Sequence, residues 1–240
     1  MKTVFTCLVV VMIASIAFAG NPVPGNVYVY APDDNVFGMS YGDWEAAWWQ
    51  WALTIPASQN PLTGNATDCF AGQTSGPVLF LGGSAGSGPV SHDCIAPFGK
   101  SIFVPIINTE CSSAPVDVAG GFDGTTPQKA HNCAGEWVDG VAIQTLKATI
   151  DNHKVFNLDA YRAPTPYFYF LQPQGDGYLG DGFSTIDLPG WTYGYAVSDG
   201  YWLMIKPLCK GKHVIHLQAA MTSGPGAGFA QDLTFNITVQ

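Results

Sequence analysis

Three glutamates, Glu45, Glu110 and Glu136, are the whole supply of that residue in 240 positions. Carboxyl-pair acid–base chemistry would therefore use one of them with an aspartate. Glu110 is the strongest candidate, because it sits beside Cys111 at the end of an apolar run, Ile102 to Ile107. A carboxyl desolvated there is a candidate general acid; the plainer reading is a hydrogen-bonded rim or turn residue. A two-carboxylate glycosidase needs its pair roughly 5–10 Å apart, a distance that sequence cannot supply.

His213 and His216 bracket Val214-Ile215. On a strand, positions i and i+3 point to opposite faces, so the two rings cannot chelate one ion. Either could serve alone, as a metal ligand or as a base in a hydrolytic site. Asp176-Gly177 and Asp181-Gly182 repeat a carboxylate–glycine pattern that can wrap Ca²⁺. Asp-Gly is also common turn chemistry, and the pair falls short of a calcium ligand set. No Gly-x-Ser-x-Gly elbow is present, so a serine nucleophile of that kind is not indicated.

Aromatic residues are the richest feature. Trp44, Trp48 and Trp51 share one helical face and read as core. Trp49 points off that face, and with Tyr169 and Trp202 it is a candidate for stacking a sugar or a second protein surface.

The elements that must position these groups are mostly strands. One helix is clear, capped by Ser40 or Asp43, running from Trp44 to Leu53 and stopped by Pro56. After it come short apolar runs bounded by Gly and Pro: Val78 to Leu81, and Ile102 to Ile107, where Pro105 points to an edge or bulge. Pro127 to Val138 can hold a short helix. Ile143 to Ile150 and Lys154 to Phe156 read as a hairpin. Tyr167 to Leu171 and Tyr193 to Ile205 are aromatic strands, with Asp199-Gly200 read as a turn inside the second. Leu233, Phe235, Ile237 and Val239 alternate with polar residues, the pattern of a half-buried strand. The expectation is a mainly β fold, an antiparallel β-sandwich or jelly-roll-like domain with one Trp-rich N-terminal helix.

Residues 1–19 have the form of a secretory leader: Lys2, an apolar core from Val4 to Ala14, and Ala17-Phe18-Ala19 as the cleavage pattern. The core is too short for a membrane span of roughly 20 residues. Residues 20–240 then form a single exported β-rich domain, secreted, extracellular or periplasmic. The net charge is −9, one more negative once Lys2 departs, which argues against nucleic acid and anionic membranes as partners. Export also favours disulfides, and Cys69, Cys94, Cys111, Cys133 and Cys209 remain after the leader. Order alone does not fix connectivity. Two local loops, Cys69–Cys94 and Cys111–Cys133, are the economical arrangement, leaving Cys209 as an odd thiol. Asn65 and Asn236 open Asn-x-Thr sequons for glycosylation, if the host glycosylates exported protein.

Several motifs resemble those of an uncharacterised family of secreted bacterial proteins. They are Trp48-Trp49-Gln50-Trp51-Ala52, Gly76-Pro77-Val78 with Phe80-Leu81, and Pro105 to Cys111. Further along come Ser198 to Met204, Lys206-Pro207-Leu208, His213 to His216, and Asp232 to Phe235. The resemblance implies a secreted single domain and no transferable activity. It also supports pairing the first four cysteines. The leading functional expectation is a non-catalytic binding or structural domain that contacts glycans or protein chains. The alternatives are an extracellular hydrolase using Glu110 with an aspartate, or His213 or His216, and a self-assembling fibre or surface-layer subunit joined through the C-terminal strand or Cys209. No cofactor is implied apart from Ca²⁺ at Asp176 and Asp181.

Overall fold

The computed structural model describes residues 26–63, 69–73, 75–180, 184–185 and 188–240. The expected leader, Asn65 and Asp181 lie outside them. In chain order the elements are α1 (Tyr41–Thr54), β1 (Val78–Phe80), β2 (Gly88–Ala96), β3 (Ser101–Ser112), α2 (Pro115–Gly120), α3 (Pro127–Val138), β4 (Lys147–Ile150), β5 (His153–Lys154), β6 (Phe168–Pro173), β7 (Ser184–Thr185), β8 (Trp191–Ile205), β9 (Gly211–Ala220) and β10 (Ala230–Val239).

The strands form two five-stranded sheets. The first runs β1-β3-β8-β6, with β7 also on β8; the second runs β2-β10-β9-β4-β5. A mainly β, sandwich-like domain is therefore present, but its sheets are mixed rather than antiparallel throughout. β1 lies parallel to β3, and β2 lies parallel to β10. The cause of the first is topological: between β1 and β3 the chain leaves for β2 in the other sheet. It then returns to the first sheet in its original direction.

β3 is buried along nearly its whole length, so it packs on both faces. Pro105 costs β3 a ladder hydrogen bond, and the register shifts between Pro105 and Ile107 as a bulge. β8 runs unbroken through Asp199-Gly200, which corrects the expected turn. Gly200 is pressed so closely on β3 that a Cβ there would fall 2.4 Å from Asn108 Cβ. Asp199 is buried but paired, accepting from Arg162 Nη2 at 2.7 Å and Nε at 3.0 Å. The Asp151-Asn152 turn does form the expected hairpin of β4 and β5, both residues taking left-handed φ. In β10, Leu233, Phe235, Ile237 and Val239 are buried and alternate with more exposed residues.

α1 begins with a capping box, in which Asp43 N–H donates to Ser40 Oγ and the Asp43 carboxylate accepts from Ser40 N–H. It is buried almost all round, including Trp44, Trp48 and Trp49, as expected of a helix enclosed by its protein. Trp48 sits edge-on to Trp202, and Trp202 stacks on Phe103 with ring centroids 5.0 Å apart. Two further helices, α2 and α3, join α1. No helix among the described residues is long and apolar enough to cross a membrane.

Both local disulfides are present, Cys69–Cys94 and Cys111–Cys133. They fit an extracellular protein. Cys209 is disulfide-bonded as well in the full 240-residue chain; the expected odd thiol concerns residues 20–240 alone, which hold five cysteines. The C-terminal strand is not a free edge either: β10 is flanked by β9 and β2, so it has no ladder left for a neighbouring subunit.

Candidate ligand-binding cavity

β3 delivers the first polar groups. Its C-terminal half carries Asn108, Thr109 and Glu110 past the bulge, and Cys111 then anchors the strand to Cys133 of α3. Ser112 turns the chain: its Oγ accepts from Ala114 N–H and donates to the Asp117 carboxylate. Pro115, at the start of α2, presets that helix. The result brings Asp117 back beside Glu110.

These residues wall a cavity of about 340 Å³. Trp48 and Trp49 of α1 form part of it, with Phe122, Trp137 at the end of α3, and Tyr178 from the loop after β6. Phe122 and Trp137 stack with centroids 4.5 Å apart. Gly226 lets a neighbouring loop close on this wall, since a Cβ there would fall 2.9 Å from the Trp137 ring. Asn108, Thr109, Glu110, Asp117 and Gln231 supply polar side chains, and no Lys, Arg or His is among the lining residues.

Burial pushes the Glu110 carboxyl well above the usual range, and the nearby Asp117 charge pushes it further. Burial also raises Asp117, while hydrogen bonds from Ser112 and Glu110 pull it back down. Both carboxyls are thus held above their ordinary range, and each acts on the other. Tyr178 is pushed up to about 12, first by burial and then by the charges of Glu110 and Asp117. Three buried polar atoms of wall residues have no hydrogen-bond partner: Trp49 Nε1, Asn108 Nδ2 and Glu110 Oε1. Buried polar groups are rarely left so.

The other candidates separate from this site. Trp49 is only 8% exposed, so it is a cavity wall and not the surface contact its off-face position implied. Trp202 is fully buried in the core, which removes it as a contact residue; the Trp48 and Phe103 rings occupy its faces. Tyr169 is exposed on the outer face of β6, within a cluster that includes Tyr193 and Tyr195. His213 and His216 stand on opposite faces of β9, and each is held by its own aspartate. His213 Nδ1 meets Asp151 at 2.7 Å and its Nε2 meets the Cys209 carbonyl at 2.8 Å. His216 Nε2 meets Asp232 at 2.7 Å. Neither lines the cavity.

Asp176 accepts from Ser58 Oγ at 2.6 Å and from Ser58 N–H. It therefore pins the segment after α1; its expected calcium partner, Asp181, lies outside the described residues. Among the described residues, no group of three or more His, Cys, Asp or Glu gathers to hold a metal. Asn236 is exposed on β10, with its side-chain amide donating to Asp93 at 2.8 Å. Asp117, Asn108, Phe122, Trp137 and Tyr178 were not singled out from sequence. The one usable signal was the polar Asn108-Thr109-Glu110 run closing an apolar strand.

No family model matches the chain, and no curated protein matches it. Two solved structures are similar in part. PbICP-C in its complex with falcipain-2 is 13% identical over 69% of this chain and 100% of that one, with a TM-score of 0.25. Amebosin is 9% identical over 63% of this chain and 96% of that one, with a TM-score of 0.18. Likeness at that level carries no argument about fold or function.

Proposed function

We propose that this is a secreted, disulfide-bonded binding domain of the family its motifs resemble, and that its cavity takes a sugar unit of a glycan. The observation that carries this is the cavity itself, in which aromatic faces stand beside buried polar atoms that lack partners. Sugars present apolar C–H faces to aromatic rings and hydroxyls to polar groups. Ligand pockets typically measure about 300–1,000 Å³, so this one suits a single small unit. Trp49 and Asn108 supply N–H donors, and Glu110 supplies an acceptor oxygen.

A glycan array probed with the folded protein, followed by calorimetry on the hits, tests this. Trp49→Phe keeps an aromatic wall and removes Nε1–H, and it should weaken binding by about fivefold, the worth of one neutral hydrogen bond. A cooperatively folded protein that retains no glycan overturns the reading.

A second reading is favoured by the carboxyl pair alone: hydrolysis with Glu110 as general acid. Glu110 and Asp117 act directly on each other in the wall, whereas glycosidase carboxyls stand roughly 5–10 Å apart. That geometry favours binding over turnover. If turnover of any glycan is found, Glu110→Gln should abolish it.

A further inference from the structure

We propose that the Glu110–Asp117 side of the cavity seats a primary ammonium group, so that the preferred ligand is a sugar unit carrying a free amine. This rests on the reading of the cavity as a sugar site and narrows its chemistry.

Charge balance is the argument. Glu110 and Asp117 stand together in the cavity wall, where Asp117 accepts from Ser112 Oγ. None of the lining residues is a cation that could neutralise a negative charge on either. A buried carboxylate with no cationic partner is costly. Oε1 of Glu110, buried in the same wall, also lacks any partner. An –NH₃⁺ group brings one positive charge and three donors, which meets both needs. The rings of Trp48, Trp49, Phe122, Trp137 and Tyr178 add faces that attract a cation.

A quaternary ammonium could use those faces but has no N–H for Oε1. The unpartnered donors of Trp49 and Asn108 call for acceptor oxygens, which sugar hydroxyls provide. They make a bare alkylamine an incomplete ligand.

Four tetrasaccharides of like linkage separate the possibilities: a chitosan tetramer with free amines, its fully N-acetylated counterpart, cellotetraose, and a trimethylated chitosan tetramer. Calorimetric titration at about pH 6 should show the free-amine tetramer bound about tenfold or more tighter than the other three, the worth of a charged hydrogen bond. Asp117→Asn removes the charge and still accepts from Ser112, and it should bring all four within about threefold. Equal affinity of the four for the unaltered protein overturns the ammonium seat and leaves the sugar site standing. A trimethylated tetramer that matches the free amine also overturns it, by showing that no N–H donor is needed. Failure to bind any of them, by protein that still unfolds cooperatively, removes the seat; the array then decides the sugar reading separately.

Discussion

Glu45 and Glu110 are both buried, and burial is the first cause that holds each carboxyl well above its ordinary range. Their surroundings are opposite. Glu45 lies in α1 away from the cavity, and neither of its oxygens has a hydrogen-bond partner. Ser198 and Trp202 are the neighbours that favour its charged form, and Asp199 opposes it. Ser198 Oγ and Trp202 Nε1 are themselves without partners, so the three groups approach without closing a normal hydrogen bond. Glu110 instead has Asp117 acting on it and stands in the wall of a cavity. Desolvation by itself therefore does not mark a site. A buried carboxyl becomes a candidate when it has a coupled partner and space beside it for a ligand.

The largest effect should come from freeing the Glu110 side. The Cys111–Cys133 bridge holds α3 on β3 next to that residue, with a sequence separation of 22. Replacing both cysteines by Ser should cost about 3 kcal/mol in the chain-entropy account of disulfides. It should also loosen Trp137 and weaken ligand binding. Urea unfolding measures the first and calorimetry the second. Full stability with intact binding would show that the wall does not depend on the bridge.

A smaller effect, opposite in sign, is expected at Glu45. Its folded-state carboxyl is raised, so its contribution to stability is complete below the ordinary value of 4.5 and is lost as pH climbs through the folded value. Glu45→Gln binds no titrating proton. It should match the parent near pH 4 and exceed it at pH 8 by about 1 kcal/mol or more, since each pKa unit is worth about 1.4 kcal/mol. Ligand binding should not change. Parallel stability curves for the two proteins between pH 4 and pH 8 would show that Glu45 is not desolvated.

This contrast was only half visible in the sequence. The β10 strand, the Asp151-Asn152 hairpin and the Ser40 cap were legible because each is set by local spacing or turn chemistry. Glu110 was legible as a polar residue closing an apolar strand. Glu45 read only as one of three glutamates open to a carboxyl pair, because sequence shows one amphipathic face and cannot show that α1 is enclosed on several sides. Trp49 was misplaced for the same reason. Asp117 escaped because its approach to Glu110 depends on the Ser112 turn and on α2, both non-periodic. Asp199-Gly200 read as a turn by composition, whereas tertiary demands own both residues: an Arg162 partner and close passage of β3.

The outer sheet face supplies a third carboxyl that should behave in the opposite way. Asp232 is 39% exposed at its side chain. His216 and then Gln218 donate to it and hold its carboxyl below the usual range. A lowered folded-state value gives stability that is present above the ordinary 3.8 and lost as pH falls through the folded value, the reverse of Glu45. Solvent screens a pair this exposed, so Asp232→Asn should cost less than about 1 kcal/mol near pH 6. Toward pH 2 the cost should shrink, because the parent loses its carboxylate as pH falls through the lowered folded-state value. Urea midpoints at those two pH values measure the difference. A cost well above 1 kcal/mol would mean that exposure does not separate the carboxyls of this protein, and that the contrast between Glu45 and Glu110 needs some cause other than burial and company.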